Sequence, residues 1–324
     1  DLVGADLALW ERDVAAAEAA LKAGDAAGAE QAYRAALARD PGYAETHYQL
    51  GQLALRRGDD TAARDHLRRA LDLDALRFRT DSGLNGVIRS LGSSPDAARL
   101  RLQVVDAAAA LDAASPHGLC GDEFFYEHVH LTLRGTYELA RLLMPAIGDA
   151  LSRRGLARPG SPAELPSYDD VRVRLGYTAY EQGMVAVEML SRLSRPPFTA
   201  QSDHGLRLAL WQRRAAAAQA LLDRADATDA LRGAMNLALQ ASPADWVLAR
   251  NHGMMLVARG AADEAVPFLE RARQWLDDDV DTLAALAVAQ RALGRKEEAD
   301  TLLERVRVLE PRHPAVRRPE GAAP

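Results

Sequence analysis

A spacing of 34 residues constrains this chain more than anything else in it. Gly24, Ala29, Tyr33, Ala36 and Leu37 are each followed, 34 positions on, by Gly58, Ala63, Leu67, Ala70 and Leu71. Toward the other end Gly260, Ala265 and Leu269 return at the same interval, 34, as Gly294, Ala299 and Leu303. Small and large residues at fixed offsets are what two packed helices need: small where the axes approach, large and apolar where the next helix fills a groove. Pro41, Pro243 and Pro311 fall where a helix has to stop, because proline lacks an N–H and disfavours helical geometry in the residue before it. One helical pair cannot bury its own apolar face, so such units stack on neighbours. A more degenerate unit is expected to run from about Trp211 to Pro243.

This length and small–large pattern resembles the tetratricopeptide repeat. The fold class expected is therefore mainly α. Residues 1–9 read as a lead-in, 10–75 as two repeats, 158–205 as linking helices, 206–316 as further repeats, and 317–324 as a disordered tail. The resemblance implies a protein or peptide partner, held on the concave side formed by the first helix of each repeat. Tyr48, Gln52 and Arg56 occupy face-lining offsets in the second repeat, and Arg250, Met254 and Arg291 do so near the C-terminus. A solvated helical face explains the same residues. The paired Lys/Asn arrangement that clamps a C-terminal carboxylate in the family is not matched.

Composition removes several other classes of function. A formal net charge of −6 with scattered basic residues gives no electrostatic footprint for nucleic acid. No apolar run is long enough to span a membrane. Cys120 is alone, which rules out an intrachain disulfide. No cofactor is implied and no metal site is expected. The acidic run Asp277, Asp278, Asp279, Val280, Asp281 lies, in repeat register, just before a helix, where carboxylates cap free N–H groups and complement the helix dipole.

Between about 76 and 157 the period vanishes. The stretch LRLQVVD, residues 100–106, is apolar and β-branched and reads as a short buried strand. The residues after it read as helix, then a loop rich in glycine and aromatics, then a helix from Gly135 kinked at Pro145. A lone strand leaves backbone groups without partners, so the rest of its sheet is expected outside residues 1–324. Within FFYEHVHLTLRGTYELA, residues 124–140, two histidines and an acid sit among aromatics in a chain with only 5% of them.

Strand, helix, glycine-bearing loop, an acid three residues before a histidine, then helix: residues 76–157 resemble the C-terminal corner of an SGNH/GDSL-type hydrolase, of the subgroup that carries tetratricopeptide repeats. Glu127 and His130 carry the match, together with the following LTLRGTYELA and with LDALRFRTDSGLN at 73–85. The resemblance implies an α/β, flavodoxin-like hydrolase domain acting on acyl esters, carbohydrate O-acyl esters among them. His130 would take a proton from a serine hydroxyl, and Glu127 would orient the imidazole. The family has Asp where Glu127 stands, and its serine block and oxyanion-hole residues are missing here, so the serine is expected upstream. Ser82 lies only 48 residues before His130 and lacks the flanking blocks. Arg77 and Arg79 are candidates for an anionic substrate group, or equally for pairing with nearby aspartates. Two other readings of the histidines stay open: zinc ligation by His128, His130 and Glu127, and hydrogen bonding within a packed loop. The alternative function is a non-catalytic scaffold with a degenerate hydrolase remnant.

Overall fold

The computed structural model describes residues 2–156 and 165–316, so the tail expected at 317–324 and the junction at 157–164 lie outside the described residues. The chain divides into two compact units, Asp1–Leu165 and Pro166–Pro324. Every regular element among the described residues is helical, apart from an isolated antiparallel bridge between Phe125 and Leu131.

The first unit opens with α1 (Gly4–Lys22), which reaches back into the segment expected as a lead-in, then α2 (Ala26–Arg39), α3 (Ala44–Arg57) and α4 (Asp60–Asp72). α1 packs on α2 and α3 on α4, with α2 and α3 joining the two hairpins. In the second unit α13 (Trp246–Ala258) packs on α14 (Ala262–Arg273) and α15 (Val280–Ala292) on α16 (Lys296–Leu309).

All four hairpins turn in the same way. Gly24, Gly58, Gly260 and Gly294 have φ between +77° and +80°, a left-handed conformation that a side chain resists. The amide of the next residue then reaches back to the carbonyl five positions earlier: Asp25 to Ala20, Asp59 to Ala54, Ala261 to Leu256 and Arg295 to Gln290, at 2.9–3.0 Å. That is the glycine-terminated helix end that satisfies the last carbonyls. Five residues past each glycine, Ala29, Ala63, Ala265 and Ala299 are fully buried. The prolines act as the sequence implies: α2, α16 and α12 (Ala227–Ala241) end two residues before Pro41, Pro311 and Pro243.

A second set of small residues, not recognised in the sequence, governs how closely the hairpin helices approach. Ala17, Gly51, Gly253 and Ala287 occupy equivalent places in α1, α3, α13 and α15 and are all buried. A Cβ on Gly51 would lie 2.6 Å from Leu67 Cγ, and one on Gly253 2.5 Å from Leu269 Cγ.

The degenerate repeat expected at Trp211 to Pro243 is corrected. α11 (His204–Leu222) packs chiefly with α10 (Ala179–Leu193), while α12 packs on α9 (Tyr168–Arg174) and α13. Gly183 of α10 sits 3.6 Å from the Ala218 methyl of α11, and Ala186 and Ala218 are buried. Small residues on both helices allow that close approach, and so make α10 rather than α12 the partner of α11.

The middle of the first unit holds α5 (Ser82–Gly92), α6 (Pro95–Leu100), α7 (Ala107–Ala114) and α8 (Leu133–Arg153), which runs through Pro145. Among the described residues there is no strand, so the strand expected at 100–106 and the α/β sheet it implied are not present. Its first residue ends α6, Arg101 takes a left-handed conformation (φ 53°), and residues 102–106 belong to no regular element, Leu102 donating to the Ala97 carbonyl and Val105 accepting from the Ala107 amide. The apolar, β-branched composition favours extended backbone, but a strand also needs a neighbour, and none lies beside it.

The N-terminal unit also carries a pH-sensitive contact. His47 Nε2 lies 3.2 Å from the Pro41 carbonyl, and His47 Nδ1 lies 3.1 Å from His66 Nδ1. If His47 donates to the carbonyl, its other nitrogen accepts from His66. Burial, then the neighbouring His47 and Arg34, hold the His66 pKa below its ordinary 6.5 against the opposing pull of Asp65 and Glu30. The folded state therefore binds fewer protons than the unfolded chain, and this contribution, complete above about pH 6.5, is lost as pH falls below it. Hydrogen exchange of α3 amides is expected to quicken between pH 7.5 and 5.5 after correction for intrinsic rates, and His66→Gln should flatten that dependence. An unchanged dependence in the variant would place the cause elsewhere.

Candidate functional site

The acid–histidine loop is tied to the start of α8. Thr132 caps that helix, its hydroxyl accepting from the Gly135 amide at 3.0 Å and donating to the Glu123 carbonyl at 3.0 Å. The Thr132 amide donates to the Phe124 carbonyl at 2.9 Å and the Tyr126 amide to the His130 carbonyl at 2.8 Å. A Cβ at Gly135 would fall 2.2 Å from the Phe124 carbonyl oxygen, so only glycine lets the helix start lie against the loop. Phe124 is buried beneath it.

These ties leave residues 126–130 as a tight turn with Glu127 at its centre. The Glu127 side chain is 2% exposed, while that of His130 is 55% exposed. One carboxylate oxygen of Glu127 accepts from the Val129 amide at 2.8 Å and the other from the His130 amide at 3.3 Å and from His130 Nδ1. His128 Nδ1 approaches the same carboxylate at 3.1 Å. Burial pushes the Glu127 pKa up, but the Val129 amide and the two histidines outweigh it and hold the carboxyl below the ordinary carboxylate value. An ionised carboxylate facing Nδ1 fixes the tautomer with the proton there, which makes Nε2 the basic nitrogen of His130. That arrangement leaves Nε2 on the more exposed of the two histidine side chains, His130, as the nitrogen able to take up a proton. Among the described residues no group of three or more histidines, cysteines and carboxylates is placed to hold a metal ion.

The other candidates are placed as follows. Phe78 packs its ring at 4.8 Å from that of His128, a proximity the sequence did not reveal. Arg77 bonds Asp81 at 2.8 Å, and Asp81 caps α5 by accepting from the Leu84 amide at 2.8 Å. Arg79 is exposed. The Ser82 amide donates to Asp72 at 2.8 Å, which makes Ser82 the first residue of a helix with no structural sign of an activated hydroxyl. Cys120 is unsuited to nucleophilic work, since burial raises its pKa to about 11.

Tyr48, Gln52 and Arg56 recur every fourth residue along α3, the first two half-buried and Arg56 exposed. On α13 the Arg250 guanidinium lies 5.5 Å from the Trp246 ring centroid and 3.5 Å from Asp279. Arg291 of α15 pairs with Asp300 of α16 at 2.6 Å. These contacts engage both arginines locally and hold their side chains in defined positions. Asp279 itself caps α15, accepting from the Thr282 amide at 3.1 Å, and its neighbours Asp278 and Asp281 pair with Arg305 and His313. The acidic run is thus a helix cap and its surroundings.

A family model of the tetratricopeptide repeat matches residues 20–78 and 256–318. Those two segments are tetratricopeptide repeats, in agreement with the four glycine-ended hairpins. No curated protein matches the chain. Among solved structures the chain is similar to the crystal structure of the P58(IPK) TPR domain, with 15% identity, a TM-score of 0.28 and 95% of each chain covered. It is also similar to the structure of Naa15/Naa10 bound to HypK-THB, with 14% identity and a TM-score of 0.23, over 90% of this chain and 39% of that one. No hydrolase domain is found by these comparisons. Among the described residues no helix is long and apolar enough to cross a membrane.

Proposed function

We propose that the chain is a protein-interaction scaffold whose two blocks of tetratricopeptide repeats hold a protein or peptide partner on the faces of their first helices. The observation that supports this reading is the conjunction of repeat identity with side chains suited to recognition on those helices: Tyr48, Gln52 and Arg56 on α3, Arg250 on α13 and Arg291 on α15. Tyrosine and arginine supply large contact area with directional hydrogen bonds, which is why they carry binding energy at interfaces. The test is the affinity of the natural partner for the wild type and for Arg250→Ala/Arg291→Ala. The pair of substitutions is expected to weaken binding by about 1–4 kcal/mol, while His130→Ala leaves it unchanged. The reverse pattern would overturn the scaffold reading.

A second reading is supported by one specific arrangement, the buried Glu127 carboxylate aligned on His130 Nδ1. In it Glu127 and His130 are the general-base half of a hydrolase of the SGNH type, acting on acyl esters with a serine supplied from outside residues 1–324. The extra methylene of Glu127, relative to the aspartate expected there, is accommodated because the same carboxylate also spans the Val129 and His130 amides. In this reading Arg77 and Arg79, the sequence neighbours of Phe78, are the candidates for an anionic part of the substrate.

A further inference from the structure

The core of the C-terminal unit holds a titratable side chain in a place that needs only an aliphatic one. His252 of α13 directly precedes Gly253, and the equivalent residues of α3 and α15 are Leu50 and Leu286, both buried. His252 is 1% exposed. Its ring packs on that of Phe268 in α14, with centroids 4.2 Å apart and planes inclined by 34°. Neither ring nitrogen meets a hydrogen-bond partner among the described residues. A buried polar group without a partner is uncommon, and it costs stability that a leucine would not. The neutral ring leaves one donor and one acceptor unmet, whereas the protonated ring would leave two donors and a charge.

The helices α12, α14 and α15 pack against α13, and their charges decide what a protonated ring would meet. Arg232 of α12 opposes positive charge on His252, and Glu264 of α14 favours it. These two are paired with each other at 2.5 Å, and Arg232 also holds Asp229 at 2.7 Å, so the carboxylate is already engaged. On α15, Asp281 pairs with His313 and Arg291 with Asp300. On α13 itself, Arg250 pairs with Asp279 and Arg259 bonds Thr228. Burial above all, with Arg232, holds the His252 pKa below its ordinary 6.5 against the pull of Glu264.

We infer that His252 is an acid-sensitive latch on the α13–α14 hairpin, closed while the ring is neutral and opened when it takes up a proton. An imidazolium packed on Phe268 with neither nitrogen bonded is strongly disfavoured, and parting α13 from α14 hydrates it. The closed state binds fewer protons than the open one. Its stabilisation is therefore complete above about pH 6.5 and is lost as pH falls below that value, by up to about tenfold in the closing equilibrium for each pH unit. The latch rests on the packing of one ring and does not depend on α13 binding a partner.

The test is hydrogen exchange of α13 and α14 between pH 7.5 and 5.0, corrected for intrinsic rates, in the wild type and in His252→Leu, which installs the residue found in α3 and α15. Protection of both helices should fall by about tenfold between pH 6.5 and 5.0 in the wild type and stay constant in the variant. The helix α3, in the other unit, should respond alike in both chains. The His252 ring resonance in the wild-type NMR spectrum gives a readout that needs no variant, and it should titrate below pH 6.5, over the range in which protection is lost. Equal pH dependence in the two chains overturns the inference, and so does wild-type protection that does not change with pH. A ring that titrates while the hairpin stays protected also overturns it, since Glu264 would then have left Arg232 to pair with the imidazolium.

Discussion

Gly253→Ala is expected to destabilise the C-terminal unit by about 3 kcal/mol, at the upper end of the range for overpacking a core, although the same substitution in a solvent-facing helix stabilises. Glycine costs roughly 1 kcal/mol relative to alanine in a helix interior, so the intrinsic change favours alanine. The clash decides the sign. The new methyl would stand 2.5 Å from Leu269 Cγ and 3.2 Å from the Ala265 carbonyl oxygen, and Leu269 is fully buried with nowhere to move. Gly233 in α12 is the control, since a Cβ there meets no atom within 4 Å and Gly233→Ala should stabilise by about 0.5–1 kcal/mol. At about 2–4 °C per kcal/mol for a unit of this size, thermal unfolding should move down by roughly 6–12 °C for the first variant and up by a few degrees for the second. Shifts of the same sign would show that the hairpin helices are not in the contact described.

The second large effect concerns His130. If Glu127 and His130 form the base half of an ester hydrolase, His130→Ala in the full-length protein should lower kcat by about 10²–10⁴-fold, the usual contribution of a positioned base. Glu127→Gln should lower it comparably, because an amide in place of the carboxylate no longer fixes the proton on Nδ1 or stabilises the imidazolium. His128→Gln should have a smaller effect, since the His128 side chain is only 23% exposed against 55% for His130. Equal hydrolysis by wild type and His130→Ala would remove the catalytic reading and leave the loop as a packed connector.

What could be read directly from the sequence was what is decided locally. Gly24, Gly58, Gly260 and Gly294 end their helices by a conformation that one residue imposes, and Pro41, Pro243 and Pro311 stop helices by a missing donor. Glu127 and His130 are three residues apart, so a tight turn is enough to join them. What was misread depends on distant neighbours. The face of α11 does not say whether α10 or α12 will cover it. The apolar run at 100–106 has the composition of a strand, but pairing is a property of two segments. Gly51 and Gly253 look like ordinary helix glycines until Leu67 and Leu269 are placed opposite them. The contact between Phe78 and His128 joins positions with no shared pattern in the sequence.

The central claim, that the repeats hold a partner on the faces of their first helices, is tested most directly by hydrogen exchange of the protein alone and saturated with its natural protein partner. Exchange is expected to slow in α3, α13 and α15, and to change little in α4, α14 and α16. Protection confined to the second helices of the hairpins, or to the loop around Glu127 and His130, would contradict it.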